Sequence, residues 1–299
     1  FDITINVMNG IKDVIKKVKP DIVLVHGDTS TTFATALACF YLKIPVGHVE
    51  AGLRTYNIDS PFPEEFNRQA VGIVAKYNFA PTEKAKENLI KEGKKADTIY
   101  VTGNTAIDAL KTTIKDNYYH KEFDWIGNSK LILITAHRRE NIGKPMHNMF
   151  RAIRRIVEEY SNIRVIYPIH MNPAVRQIAS EELGNCENIH IIEPLDVIDF
   201  HNFMKKSYLI LTDSGGIQEE APGLGKPVLV MRDTTERPEG IDAGTLKLVG
   251  TDEDNIYSSF KVLIDNEEEY KKMSQAKNPY GDGYASVRIA DVLERGFIQ

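Results

Sequence analysis

Short β-branched runs alternate with longer stretches of helical period along this chain, the pattern that builds parallel α/β units. The first run, residues 21–26 (DIVLVH), reads as a buried strand after Pro20; the turn Gly27-Asp28-Thr29 follows, and residues 30–41 supply a helix rich in small side chains. The alternation continues with strands over 44–49, 77–80 and 99–102 and helices over 66–75, 82–92 and 105–115, the second of these capped by Thr82. It lapses over 117–129, then resumes with strands over 130–135, 163–168, 189–193, 208–212 and 227–231 and helices over 146–160, 172–183, 197–205 and 216–224. Two doubly wound, Rossmann-like parallel sheets facing each other are expected. The predicted domains are residues 1–118 and 119–283, followed by a helix within 284–299 that returns to the first domain after the Gly/Pro-rich corner 278–283. Ligands of such sheets sit beyond the carboxyl ends of the strands, so the residues there carry the functional question.

Length and composition agree with two ordinary globular domains: 299 residues, 42% hydrophobic and 26% charged. The 37 Lys and Arg against 42 Asp and Glu leave a net charge of −5, which argues against nucleic acid or an anionic membrane surface as partner and points to a small molecule. Only Cys39 and Cys186 occur, without metal-ligand or redox spacing, as suits a reducing cytoplasm. No apolar run reaches the roughly 20 residues of a membrane span.

The strand ends are unusually ionisable. His26 and Asp28 follow the first strand, His48, Glu50 and Arg54 the second, and His137, Arg138, Arg139 and Glu140 the strand 130–135. A carboxylate or imidazole in a cleft there can serve as a general acid or base. Asp28 either does so or caps the helix after it. Glu50, before Ala51-Gly52, has less of a structural role to play, whereas His26 and His48 read as core histidines. At Pro63-Glu64-Glu65 the two acids suit a helix N-terminus, worth about 0.3–1 kcal/mol each, unless Glu64 points into the same cleft.

The sharpest local signal is Asp213-Ser214-Gly215-Gly216 between a strand and a helix, where bare N–H groups at Ser214, Gly215 and Gly216 would cradle phosphate. Glu220, one turn on, is placed to accept two ribose hydroxyls, which points to a nucleoside diphosphate. Neither a Gly-Lys-Ser/Thr ending nor GxGxxG is present, which disfavours an ATPase or a nicotinamide enzyme. Arg232 and Arg237 bring guanidinium groups to the same rim, as diphosphate ligands or as surface ion pairs, and His170 is a further strand-end imidazole. No metal cluster and no GxSxG are found, so no metal or cofactor is expected.

Taken together, the motifs resemble one family. They are His26-Gly27-Asp28-Thr29, residues 48–55 (HVEAGLRT), Pro63-Glu64-Glu65-x-Asn67-Arg68, residues 102–105 (TGNT), 137–141 (HRREN), 213–220 (DSGGIQEE) and 278–283 (NPYGDG), and the family is the non-hydrolysing UDP-N-acetylglucosamine 2-epimerases. The resemblance implies a GT-B-type fold with the active site between two Rossmann-like domains, a homodimer, and interconversion of UDP-GlcNAc and UDP-ManNAc by anti elimination of UDP and re-addition, without a cofactor. It makes Asp28, Glu50 and Glu64 the carboxylates at the sugar, with Arg68 in the same motif, and His137 the imidazole that helps UDP leave. Ser214, Gly215 and Gly216 would hold phosphate, Glu220 the ribose, Arg237 the diphosphate rim, and Leu195 and Phe200 would surround uracil. Glu64, Arg138 and His170 match residues that touch a second, activating UDP-GlcNAc in bacterial members. The alternatives are the hydrolysing relative, which releases ManNAc, and an inactive nucleotide-sugar-binding subunit. The family opens with a strand and a Gly-Thr-Arg-Pro-Glu loop that nothing before Phe1 matches, so a first βα unit of on the order of 60–70 residues is expected to be missing.

Overall fold

The computed structural model describes residues 1–235 and 237–297, and the chain divides into two compact units: Phe1–Asp108 with the chain from Tyr280 onward, and Ala109–Pro279. The first contains α1 (Asp2–Val18), β1 (Val23–His26), α2 (Ser30–Tyr41), β2 (Val46–Val49), α3 (Glu64–Val74), β3 (Tyr77–Ala80), α4 (Glu83–Lys91), β4 (Ile99–Val101) and the start of α5 (Thr105–Thr113). Its sheet runs β1-β2-β3-β4, all parallel. Ile15, Val25, Ala36, Cys39, Val46 and Val71 close the core between α1, α2, α3 and the sheet, while Ala51, Ala80, Ala85, Leu89 and Ile99 form a second cluster around α4. The helix starts are set by short polar side chains: Thr29 Oγ1 accepts from Thr32 N at 3.3 Å and Thr82 Oγ1 from Ala85 N at 3.1 Å. Thr29 is therefore the cap of α2, and Asp28 is left for other work.

The second unit holds α6 (Glu122–Ile126), β5 (Lys130–Thr135), α7 (Lys144–Glu159), β6 (Ile163–Pro168), α8 (Pro173–Leu183), β7 (Ile189–Ile192), α9 (Val197–Lys206), β8 (Leu209–Thr212), α10 (Gly215–Gly223), β9 (Val228–Val230), α11 (Pro238–Asp242), β10 (Leu246–Leu248), α12 (Glu253–Asp265) and α13 (Glu267–Ser274). The order β10-β9-β8-β5-β6-β7 is parallel throughout. Central strands of such a sheet are covered on both faces, and Leu131, Ile132, Leu133 and Ile134 of β5 are all buried accordingly. Helix α7 buries Met146, Met149, Phe150, Ile153, Ile156 and Val157, the spacing of one helix face.

Strand order reverses between β5 and β8, whose last residues Thr135 and Thr212 are register partners. That is the switch point at which a doubly wound sheet opens a crevice.

The predicted boundary at 118/119 lies beyond the observed division at Asp108/Ala109. The intervening residues are tied to α9: Asn202 Nδ2 donates to Thr113 O at 2.9 Å, and Lys115 N donates to Asn202 Oδ1 at 3.0 Å. After residue 279 the chain rejoins the first unit. Asn104 N donates to Tyr280 O at 2.7 Å, and Asp108 accepts from Ala285 N at 3.0 Å and Ser286 N at 2.7 Å at the start of α14 (Ala285–Phe297). Gly103 and Gly281, both at positive φ, approach so closely that a Cβ on Gly281 would stand 3.3 Å from the Gly103 Cα.

Candidate active site

In the first unit, the chain leaves β1 through Gly27 at φ +70° and leaves β2 through Glu50 at φ 66°, and Gly27 N donates to Val49 O at 3.0 Å. A Cβ on Gly27 would stand 3.3 Å from Glu50 Oε2, so the glycine serves both the turn and the carboxylate lying over it. Asp28 comes next. Its Oδ2 pairs with Arg68 NH2 at 2.7 Å, and its carbonyl accepts from Asn67 Nδ2 at 2.9 Å. Arg68 is in turn 3.5 Å from Glu65, which is fully buried and accepts from Thr55 N, Tyr56 N and Gln69 Nε2 at 3.0, 3.1 and 2.8 Å. Of the two acids opening α3, Glu65 thus anchors the loop after β2. Glu64 is half-buried and has no hydrogen-bond or ion-pair partner among the described residues.

His48 is a buried core histidine, as its apolar surroundings imply. Its Nε2–H donates to Gly27 O at 2.9 Å, the carbonyl just before Asp28, while Nδ1 has no partner. Burial, the largest cause, lowers its pKa from 6.5 to about 4. The unfolded imidazole protonates near 6.5 and the folded one only near 4, so the stability it contributes is complete above about pH 6.5 and is lost as pH falls toward 4. Between pH 7 and 4.5 the free energy protecting the β1 and β2 amides from hydrogen exchange is expected to drop by about 2–3 kcal/mol more in the wild type than in His48→Gln. Equal drops would contradict this.

His26 departs from expectation. It is exposed rather than in the core, on the same face of β1 as the exposed Leu24, two residues before it. Its Nε2 lies 3.9 Å from Glu50 Oε2 and 3.3 Å from Thr105 Oγ1. Arg54 is also placed elsewhere, gripping Glu92 through Nε and NH2 at 2.6 and 2.8 Å.

In the second unit, Asp213, fully buried, organises the switch point. It accepts from His137 N at 2.9 Å, Arg138 N at 2.9 Å and Asn141 Nδ2 at 3.2 Å, and so binds the loop after β5 to the end of β8. The sequence placed Asp213 in a motif without a role; its signal was an acid directly after a buried strand. The His137 ring lies 3.9 Å from the same carboxylate and stacks on His170 with centroids 5.4 Å apart. Burial lowers the His137 pKa and Asp213 partly opposes it, which favours a neutral imidazole. His170, exposed, accepts from Asn172 N through Nδ1 at 3.1 Å.

The Gly-rich turn differs from expectation at one point. Ser214 N is not bare: it donates to Thr212 Oγ1 at 2.9 Å, because the hydroxyl ending β8 lies within reach of the turn. The donors that the first turn of α10 still offers include the N–H groups of Gly215 and Gly216, with the Ser214 hydroxyl beside them. Glu220 is half-buried on the same helix. Arg237 is held by a buried ion pair, Nε to Glu219 Oε1 at 2.5 Å, and its backbone N donates to Thr235 Oγ1 at 3.1 Å. Arg232 lies 3.8 Å from Glu140. Leu195, just before α9, and Phe200, in its first turn, pack partly buried against the core of this unit. Among the described residues, no group of three or more His, Cys, Asp or Glu is arranged to hold a metal and no helix is long and apolar enough to cross a membrane.

Two parallel α/β units, one with an anion-binding turn at its switch point and one with carboxylates at adjoining strand ends, define a protein of the GT-B class. The model of the family described as UDP-N-acetylglucosamine 2-epimerase matches residues 1–294, and the chain belongs to that family. The UDP-N-acetylglucosamine 2-epimerase of Bacillus subtilis (strain 168) is 64% identical over 292 residues, covering 98% of this chain and 77% of the relative. Two solved structures share the fold. That of S. aureus MnaA with UDP has a TM-score of 0.96 at 57% identity, over 99% of this chain and 81% of that one. That of the Neisseria meningitidis UDP-GlcNAc 2-epimerase bound to UDP-GlcNAc has a TM-score of 0.92 at 50% identity, over 98% and 81%.

Proposed function

We propose that this protein is a cytoplasmic enzyme that interconverts UDP-N-acetylglucosamine and UDP-N-acetylmannosamine by anti elimination of UDP, through 2-acetamidoglucal, and re-addition with the opposite configuration at C2. Membership in the family supports the reading, and the observation that carries it is the grouping of Asp28 and Glu50 beside Gly27, with Arg68 on Asp28. The C2–H bond is only weakly acidic, so its cleavage needs a positioned base, and return of the proton on the other face needs an acid. Two adjoining carboxylates answer that demand. Arg68 ties up Asp28 Oδ2, which leaves Oδ1 to exchange a proton, and Glu64 is the third carboxylate assigned to the sugar.

As C2–H breaks, the electron pair forms the C1–C2 double bond and the C1–O bond to UDP breaks, so negative charge develops on the diphosphate. Gly215 N–H, Gly216 N–H, the Ser214 hydroxyl and the dipole of α10 suit that charge. His137, kept neutral by burial, donates a hydrogen bond to the departing diphosphate, with Arg237 at its rim, Glu220 on the ribose, and Leu195 and Phe200 about uracil. A homodimer, and an activating second UDP-GlcNAc at Glu64, Arg138 and His170, belong to the same reading through the family resemblance.

Incubation with UDP-GlcNAc, followed by proton NMR, is expected to give a mixture of UDP-GlcNAc and UDP-ManNAc with no free sugar. Free ManNAc plus UDP, or nucleotide binding without turnover, would overturn the proposal.

A further inference from the structure

A buried histidine stands behind Glu220, on the side away from solvent. His201, on α9, is 4% exposed, and its Nε2 lies 3.6 Å from Glu220 Oε2, at ion-pair range. The other face of the ring is fixed. Thr113 Oγ–H donates to Ala109 O at 2.9 Å, so its oxygen is left to accept from His201 Nδ1–H at 2.7 Å. With Nδ1 committed as donor, only the imidazolium offers Glu220 an N–H; the neutral ring would set a lone pair against a carboxylate. The next residue holds the helix in place, for Asn202 Nδ2 donates to Thr113 O at 2.9 Å and to Ile198 O at 2.8 Å. Glu220 Oε1, meanwhile, stands 3.8 Å from where a Cβ on Gly216 would fall, so the carboxylate folds back along α10 toward the Gly-rich turn.

A glutamate accepts both hydroxyls of a ribose only when its two oxygens present together, and a side chain with three rotatable bonds loses that alignment unless something holds it. We propose that His201 is a positioning residue that fixes the Glu220 carboxylate for the ribose diol and thereby sets the preference for ribo- over 2′-deoxyribonucleotides. This rests on the assignment of Glu220 to the ribose. It makes the chain from Thr113 through His201 to Glu220 a specificity element of the nucleotide site.

The test compares UDP with 2′-deoxy-UDP by calorimetry in the wild type, His201→Asn, His201→Gln and Glu220→Gln. An asparagine amide reaches the position of Nδ1 and keeps the Thr113 contact, whereas a glutamine amide reaches the position of Nε2 and still donates to Glu220. His201→Asn is expected to weaken UDP about tenfold and to change 2′-deoxy-UDP less than about twofold, and His201→Gln to restore most of the difference. Equal weakening of both nucleotides in the two His201 variants would mark a packing role and overturn the proposal. So would a preference that survives His201→Asn while Glu220→Gln abolishes it. A preference unchanged in Glu220→Gln would remove the ribose assignment itself, a separate result.

Discussion

Asp28→Asn or Glu50→Gln is expected to lower turnover by about 10²–10⁴-fold while affinity for UDP changes little. Each change keeps side-chain volume and removes the ability to take up or deliver a proton. The groups assigned to UDP lie on the other compact unit, in the turn after β8 and along α10, and are untouched by either change. The two variants differ in one respect. Asp28→Asn also loosens Arg68, whose NH2 is 2.7 Å from Asp28 Oδ2, so Glu50→Gln is the cleaner variant. Calorimetric titration with UDP beside a turnover assay separates the outcomes, and a large loss of UDP binding would contradict the division of labour.

The largest effect on stability is expected at Asp213. Its carboxylate is fully buried and accepts from His137 N, Arg138 N and Asn141 Nδ2. Asp213→Ala leaves these donors without acceptors and opens the junction of β5 and β8, at a cost of about 3–5 kcal/mol. For a unit of this size that is a fall in Tm of about 10 °C. Trp125, the one tryptophan, sits on α6 of the same unit and stacks on His190 at 3.5 Å, so its fluorescence follows this transition. Asp213→Asn retains one carbonyl acceptor and should fall between. A transition unmoved by Asp213→Ala would mean that the loop after β5 is held by other contacts.

Much of the fold is legible because parallel strands buried on both faces leave long apolar runs; the expected and observed β5 and β8 agree almost to the residue. Helix α1 lies outside the predicted elements, although Val7, Ile11 and Ile15 recur every four residues. The elements from α11 to α13 lie outside the predicted alternation as well, although Asp252 caps α12 and Ile256, Phe260 and Leu263 mark its inner face. At the site, strand order alone led to Asp28, Glu50, His137 and the Gly-rich turn. Sequence could not decide which of two neighbouring polar residues takes which partner: Thr29 rather than Asp28 caps α2, Glu65 rather than Glu64 is buried, and Thr212 consumes the Ser214 N–H. Those choices depend on side-chain reach across elements distant in sequence.

Exchange at C2 is the most direct test of the proposed chemistry. In heavy water, NMR of the nucleotide sugars recovered at equilibrium is expected to show deuterium at C2 of both UDP-GlcNAc and UDP-ManNAc, with the incorporation lost in Glu50→Gln. Formation of UDP-ManNAc with the original hydrogen still at C2 would contradict elimination and re-addition.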